Sequence, residues 1–204
     1  MNAAPTDAER EQMIRGRWLV GGLAALFFVP LALAFWLYYS GGWRPGGSTA
    51  HGELIVPARP LEDAPFTLAD GTTAARADLL RGKWTLVYVG DGRCDAACQR
   101  ALWVARQARQ LLAEDMSRVQ RVFIATAGCC NAEFLAREHP GLDVVQPLDP
   151  AARELVARFP TADAPYSLYV VDPLGNLMMR FDTRGDPTGL LEDLKKLLKL
   201  SHIG

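Results

Sequence analysis

Apolar residues form one long run near the N-terminus and several short runs in the rest of the chain. The long run, residues 18–39, holds 22 residues without a charged side chain, and a helix of that length crosses a hydrocarbon core of about 30 Å. Aromatic residues lie at both ends of the run, as in helices whose rings lie among lipid headgroups. We therefore predict a transmembrane helix over residues 17–40, preceded by a tail over residues 1–16.

Short apolar runs and helical periodicity alternate in the remainder of the chain. In chain order the pattern predicts a hairpin around Asp70 and Gly71, a buried strand over 84–90, a helix over 97–116, a buried strand over 119–126, short helices near 131–139 and 149–159, a hairpin of strands 166–172 and 176–182, and an amphipathic helix over 189–200. This order predicts an α/β, thioredoxin-like fold, a central mixed sheet flanked by helices, over residues 61–204. Residues 41–60 are rich in Gly and Pro without periodicity, and we predict a linker there.

Charge excludes one class of function and predicts a membrane orientation. The 22 basic and 23 acidic residues are interspersed, so we expect no nucleic-acid partner. Arg10, Arg15 and Arg17 precede the long apolar run and Arg44 follows it, which predicts a cytoplasmic N-terminus and a C-terminal domain outside. The run is too long for a signal peptide and ends in bulky aromatics, so we favour an uncleaved anchor. We expect a bacterial inner-membrane protein with a periplasmic domain, where thiols meet an oxidising environment.

Two cysteines carry the main candidate chemistry. Cys94 follows the first predicted buried strand, and Cys98 lies one turn further along the helix that comes next. Backbone N–H groups and the helix dipole favour a thiolate at such a position. The spacing suits a redox-active pair, a copper(I) site of two thiolates, or an inert structural disulfide.

A second cysteine pair, Cys129 and Cys130, follows the second predicted strand. If the two buried strands are parallel neighbours, both pairs lie at one edge of the sheet. Cys129 or Cys130 is then a candidate third copper ligand or a resolving thiol for Cys94 and Cys98. The alternative is that they are unrelated loop cysteines or are bonded to each other, and the sequence does not choose among the possible pairings.

Three segments resemble the Sco/SenC family of membrane-anchored thioredoxin-fold proteins. They are "PLEDAPFTLADGTTAARADLLRGKWTLVYVGDGRCDAAC", "RVFIAT" and "YVVDPLGNL", and the resemblance covers roughly residues 61–200. It implies a role in cytochrome c oxidase assembly, in which Cys94 and Cys98 bind copper(I) and pass it to oxidase subunit II. Two alternatives stay open: a thiol–disulfide oxidoreductase acting on periplasmic or oxidase cysteines, and a non-catalytic scaffold with a structural disulfide.

The sequence departs from that family at positions that bear on copper. Asp95 and Gln99 stand where the family usually has proline, and Ala164 stands where the family has the histidine that completes its copper site. None of the three histidines in the chain replaces it at that position. We expect these three to be solvated surface residues: His51, His139 and His202.

Overall fold

The computed structural model describes residues 7–40, 50–68, 73–74, 78–201 and 203. The chain divides into two compact units, Met1–Ser48 and Thr49–Gly204. The first unit contains helix α1, Asp7–Tyr39, which starts within the predicted tail. Its segment Arg15–Tyr39 is long and apolar enough to cross a membrane, and it is the one such helix among the described residues.

The second unit contains eight strands and four α-helices among its described residues. The strands are β1 (Glu53–Pro60), β2 (Phe66–Leu68), β3 (Thr73–Ala74), β4 (Trp84–Asp91), β5 (Val119–Ala127), β6 (Asp143–Gln146), β7 (Ser167–Val171) and β8 (Asn176–Asp182), and the helices are α2 (Ala96–Gln110), α3 (Ala132–Glu138), α4 (Pro150–Val156) and α5 (Pro187–Leu200). A 3₁₀ turn, Ala164–Tyr166, precedes β7.

All eight strands belong to one mixed sheet, in the order β1-β8-β7-β4-β5-β6-β2-β3. Strand β4 runs parallel to β5 and antiparallel to β7, and β5 runs parallel to β6. The carboxyl ends of β4 and β5 therefore meet at one edge of the sheet, the edge where α/β folds place their working residues. The predicted thioredoxin-like arrangement of a mixed sheet between helices is confirmed.

Apolar side chains alternate between the two faces of the sheet, because successive strand residues point to opposite sides. On one face, Leu86 and Phe123 pack with residues of α2, α3 and α5. On the other face, Val87 and Ile124 pack with residues of α4. Helix α2 thus packs along this face of the sheet, and its first turn lies at the carboxyl end of β4, at the candidate site.

The predicted linker over 41–60 is wrong in its second half. Residues Glu53–Pro60 form strand β1, which pairs antiparallel with β8 at the edge of the sheet. The strand is exposed along most of its length, so no apolar alternation marks it in the sequence. Its prolines suit an edge strand, where one side of the backbone has no partner strand. The first half of the predicted linker lies outside the described residues.

Candidate functional site

Cys94 and Cys98 form a disulfide at the turn between β4 and α2, with their Cα atoms 5.0 Å apart. The turn begins where the backbone N–H of Cys94 donates to the carbonyl of Asp91, the last residue of β4, at 3.1 Å. Helix α2 begins at Ala96, so Cys94 precedes the helix and Cys98 lies in its first turn. The pair therefore occupies the carboxyl edge of the sheet next to a helix N-terminus.

The first turn of α2 is held by a side-chain cap that the sequence analysis did not identify. The carboxylate of Asp95 accepts a hydrogen bond from the backbone N–H of Cys98 at 3.0 Å. Gln99 donates from its side-chain amide to the carbonyl of Cys94 at 3.1 Å. An aspartate directly before a helical pattern is the ordinary signal of such a cap. Asp95 stabilises the helix and also brings a negative charge to the cysteine pair.

Cys94 has a φ of 52°, in the left-handed region that a side-chain-bearing residue rarely adopts. Such a conformation costs about 1 kcal/mol and persists only where the surrounding structure enforces it. Here the turn, the cap and the disulfide enforce it. Backbone strain of this kind concentrates at functional sites, which favours a working role for the turn.

The Cys94–Cys98 disulfide is buried. Cys94 is 3% exposed and Cys98 is 1% exposed, and both belong to the core between the sheet and α2. A reagent dissolved in water therefore meets little of either sulfur in this conformation.

Tyr88, on β4, joins this core to the turn before β7. Its hydroxyl donates to the carbonyl of Pro165 at 3.3 Å, which ties the Ala164–Tyr166 turn to β4. Burial, and to a smaller extent the negative charge of Asp95, together raise the pKa of Tyr88 to about 12. Tyr88 is not among the predicted site residues, although it alternates along β4 in step with Trp84 and Leu86 and so lies on the face of the sheet that α2 covers.

We expect Tyr88 to make stability depend on pH in the alkaline range. The folded pKa of about 12 lies above the ordinary value of 10.0, so the hydroxyl's contribution is complete below pH 10 and is lost as pH rises toward 12. Between pH 9 and pH 11 the wild type should lose about 1.4 kcal/mol that Tyr88→Phe does not lose. Urea unfolding of both proteins across this range measures the difference, and parallel curves would contradict the assignment.

Cys129 and Cys130 form a disulfide with each other in the loop between β5 and α3. This loop is joined to the Cys94 loop through Gly92. The N–H of Gly92 donates to the carbonyl of Ala127 at 2.6 Å, and the N–H of Asn131 donates to the carbonyl of Gly92 at 3.4 Å. Cys129 and Cys130 also pack against the core cluster that contains Cys94 and Cys98. The two disulfides therefore lie at the same edge of the sheet.

The expectation of solvated histidines is wrong for His139. Its side chain is 4% exposed and packs edge-on against Phe134, with ring centroids 5.6 Å apart. Burial lowers the pKa of His139, and the positive charges of Arg121 and Arg106 lower it further. The residue ends α3 and turns inward at Pro140, and nothing in the local pattern signals that turn.

His51 is half-exposed and is held by α5, where its Nδ1 lies 3.3 Å from the carboxylate of Asp193. His202 lies outside the described residues. Ala164 begins the 3₁₀ turn before β7, and its methyl group offers no donor atom. Within the part of the chain that the structure describes, no three His, Cys, Asp or Glu side chains are grouped to hold a metal ion.

The fold and the cysteine pair define a thioredoxin-like protein with an N-terminal helix able to span a membrane. Residues 84–201 match the family described as "Transmembrane-like, thioredoxin-like, C-terminal domain", and the chain belongs to that family. A comparison with curated proteins found no match to the sequence.

Solved structures with a similar fold include Sco proteins. Yeast Sco1 with copper bound has a TM-score of 0.58 at 17% identity, over 70% of this chain and 96% of that chain. ScoI of Bradyrhizobium japonicum with copper bound has a TM-score of 0.51 at 22% identity, over 68% of this chain and 98% of that chain. A putative protein disulfide isomerase from Bacteroides thetaiotaomicron has a TM-score of 0.52 at 18% identity, over 74% of this chain and 95% of that chain. The resemblance of the sequence to Sco/SenC proteins is confirmed at the level of the fold.

Proposed function

We propose that this chain is a membrane-anchored thiol–disulfide oxidoreductase whose redox pair is Cys94 and Cys98. One observation carries the proposal: the two cysteines are already bonded across a strand-to-helix turn, next to the first turn of α2. Likeness in fold to a putative protein disulfide isomerase supports it. The left-handed backbone conformation of Cys94 gives independent support, because strained backbone residues cluster at functional sites.

The reaction follows from the positions of the two sulfurs. In the reduced protein the turn at Cys94 opens to bring its thiolate to the surface, the thiolate attacks one sulfur of a substrate disulfide, that bond breaks, and a mixed disulfide forms. Cys98 then attacks the Cys94 sulfur, and the substrate's second thiolate leaves and takes a proton from water. The Cys94–Cys98 disulfide is restored, and two electrons and two protons have passed to the substrate. The N-terminus of α2 stabilises negative charge at this turn, and the carboxylate of Asp95 opposes it.

The test is a redox titration of the full chain in detergent micelles, with alkylation and mass spectrometry reporting each cysteine. We expect a reversible two-electron transition of Cys94 and Cys98 while the protein stays folded. We also expect acceleration of disulfide reduction in insulin by about tenfold or more, abolished in Cys94→Ser. Cys98→Ser should accumulate a mixed disulfide through Cys94. A pair that becomes reducible only on unfolding would identify a structural disulfide and overturn the proposal.

The setting follows from the anchor and from the Sco/SenC resemblance. Arg10, Arg15 and Arg17, which precede the apolar run, favour a cytoplasmic N-terminus and a periplasmic thioredoxin-like unit in a bacterial inner membrane. The substrates in that setting are exported cysteine proteins, among which the cysteines of cytochrome c oxidase subunit II are the first to test. Labelling of Cys129 and Cys130 after reduction of intact cells, by a reagent that does not cross the inner membrane, tests the orientation.

Copper(I) binding by the same two cysteines, with delivery to cytochrome c oxidase, is the second candidate function. Its support is the likeness in fold to two Sco structures with copper bound and the closeness of the two sulfurs, since thiolates are the ligands that copper(I) prefers. Ala164, at the position where the Sco/SenC resemblance implies a histidine ligand, has no donor, and no three His, Cys, Asp or Glu side chains are grouped among the described residues. Reduced Cys94 and Cys98 would supply two thiolate ligands, and Cys129 or Cys130, once reduced, is the candidate for a third.

A histidine at position 164 should supply the missing donor. We expect reduced Ala164→His to bind copper(I) about tenfold more tightly than the wild type, a gain of about 1.4 kcal/mol. Ala164→Gln, of similar size without an imidazole, is the matched control and should show little gain. Titration of each reduced full chain against a chromogenic copper(I) chelator measures the affinities. Equal affinities in the three proteins would show that position 164 does not face the thiolates.

A further inference from the structure

Exposure divides the two disulfides at this edge of the sheet into an inner and an outer pair. Cys94 is 3% exposed and Cys98 is 1% exposed, whereas Cys129 and Cys130 are both partly exposed. Cys130 also lines an open cleft of about 430 Å³ between α3 and β6. An external thiol therefore has a path to the outer pair, Cys129–Cys130, and almost none to the inner pair, Cys94–Cys98.

The backbone brings the two pairs into one contact region. Gly92, two residues before Cys94, lies so close to Cys129 that a Cβ built on it would be 2.6 Å from the Cys129 Cα. Two backbone hydrogen bonds, from Gly92 to Ala127 and from Asn131 to Gly92, fix the two loops to each other. Both outer cysteines pack against the core cluster that contains the inner pair.

We propose that Cys129–Cys130 is a second redox centre, which accepts electrons from an external dithiol and passes them to the buried Cys94–Cys98 pair. This relay rests on the proposed oxidoreductase function and deepens it, because it names the class of reductant and its point of entry. The relay also explains how the buried inner pair is reduced. Dissolved thiols barely reach Cys94–Cys98, so its electrons come from the outer pair.

The relay balances as two consecutive exchanges. An external dithiol reduces Cys129–Cys130 through a mixed disulfide and leaves as a disulfide itself, giving two thiols on the protein. A thiolate of the outer pair then attacks a sulfur of Cys94–Cys98, which breaks that bond and forms a disulfide between the pairs. The remaining outer thiolate attacks its neighbour and restores Cys129–Cys130, while the inner cysteines leave as two thiols with two protons. Net, two electrons and two protons move from the external dithiol to the inner pair.

The test follows thiols at each pair over time in the full chain in detergent micelles, with dithiothreitol as the dithiol and acid quenching. Trypsin places the pairs in separate peptides, residues 94–100 and 122–137, because arginine stands at 93, 100, 121 and 137. We expect thiols first in peptide 122–137 and later in peptide 94–100, with the two peptides joined by a disulfide at intermediate times. In Cys129→Ser/Cys130→Ser, thiols in peptide 94–100 should appear about tenfold more slowly or worse, since exchange rates depend on access.

The control variant is Cys94→Ser/Cys98→Ser, in which the outer pair should be reduced at the wild-type rate. Circular dichroism and thermal unfolding of each variant confirm that it is folded. If peptide 94–100 is reduced first, or equally fast without the outer cysteines, the relay is overturned and the oxidoreductase function stands. If peptide 94–100 stays oxidised in every folded protein, the oxidoreductase function is overturned and the relay falls with it.

Discussion

Gly92→Ala is expected to destabilise the thioredoxin-like unit by about 3 kcal/mol, at the upper end of the cost of overpacking. An alanine Cβ would lie 2.6 Å from the Cα of Cys129, 2.9 Å from its backbone nitrogen and 3.0 Å from the carbonyl oxygen of Ala127. These are main-chain atoms, so no change of rotamer relieves the collision. The two cysteine loops must separate, and the hydrogen bond from Gly92 to Ala127 must lengthen or break.

Urea unfolding of the full chain in micelles, followed by circular dichroism, measures this cost. In thermal unfolding, the melting temperature of a unit of this size should fall by about 6–12 °C for the same loss of stability. Gly185→Ala is the matched control, because its Cβ would meet only the carbonyl oxygen of Asp182 at an ordinary 3.6 Å. That variant should remain within about 0.5 kcal/mol of the wild type. Equal stability of the two alanine variants would show that the loops are not in contact at Gly92.

Asp193→Ala should also cost about 3 kcal/mol, because it removes the acceptor for two buried or part-buried backbone N–H groups. One oxygen of the Asp193 carboxylate accepts from the N–H of His51 and from the N–H of Gly52, each at 2.8 Å. The other oxygen lies 3.3 Å from His51 Nδ1. Asp193 is 3% exposed, on the face of α5 that meets the sheet. Its carboxylate is what holds the start of β1 against α5.

Asp193→Asn separates the hydrogen bonds from the charge. An amide oxygen in the same place still accepts from both N–H groups, so we expect a loss of about 1 kcal/mol in place of about 3. Hydrogen exchange locates the effect: residues 51–60 should exchange faster in the alanine variant and nearly as in the wild type in the asparagine variant. Unchanged exchange in Asp193→Ala would mean that β1 is held by its pairing with β8 alone.

The central elements of the fold follow closely from the sequence. Strands β4 and β5 each contain a short apolar run, and α2 and α5 carry apolar residues at helical spacing. The sequence reveals each of these elements because each buries side chains at regular intervals along the chain. The order of the elements then restricts the possible topologies. Strand β1 escaped prediction because its side chains are mostly exposed, and its partner β8 lies more than a hundred residues away. The short β6 has four residues, too few to show a period.

Some features of the candidate site could likewise be predicted from the sequence, and others could not. The sequence places Cys94 and Cys98 at a strand-to-helix turn and Cys129 and Cys130 after the neighbouring strand, because those positions depend on local pattern and on parallel pairing. It leaves the pairing of the four cysteines open, since any two thiols can bond when their Cα atoms come close enough. The structure pairs them within each loop.

By itself the sequence determined the apolar N-terminal helix, the thioredoxin-like order of elements and the positions of both cysteine pairs, because local periodicity and chain order carry that information. Only the tertiary structure decided which pair is buried and which is exposed, that Tyr88 reaches Pro165, and that His139 turns inward. These features depend on contacts between residues far apart in the chain, and burial is set by what the folded chain brings to cover a residue.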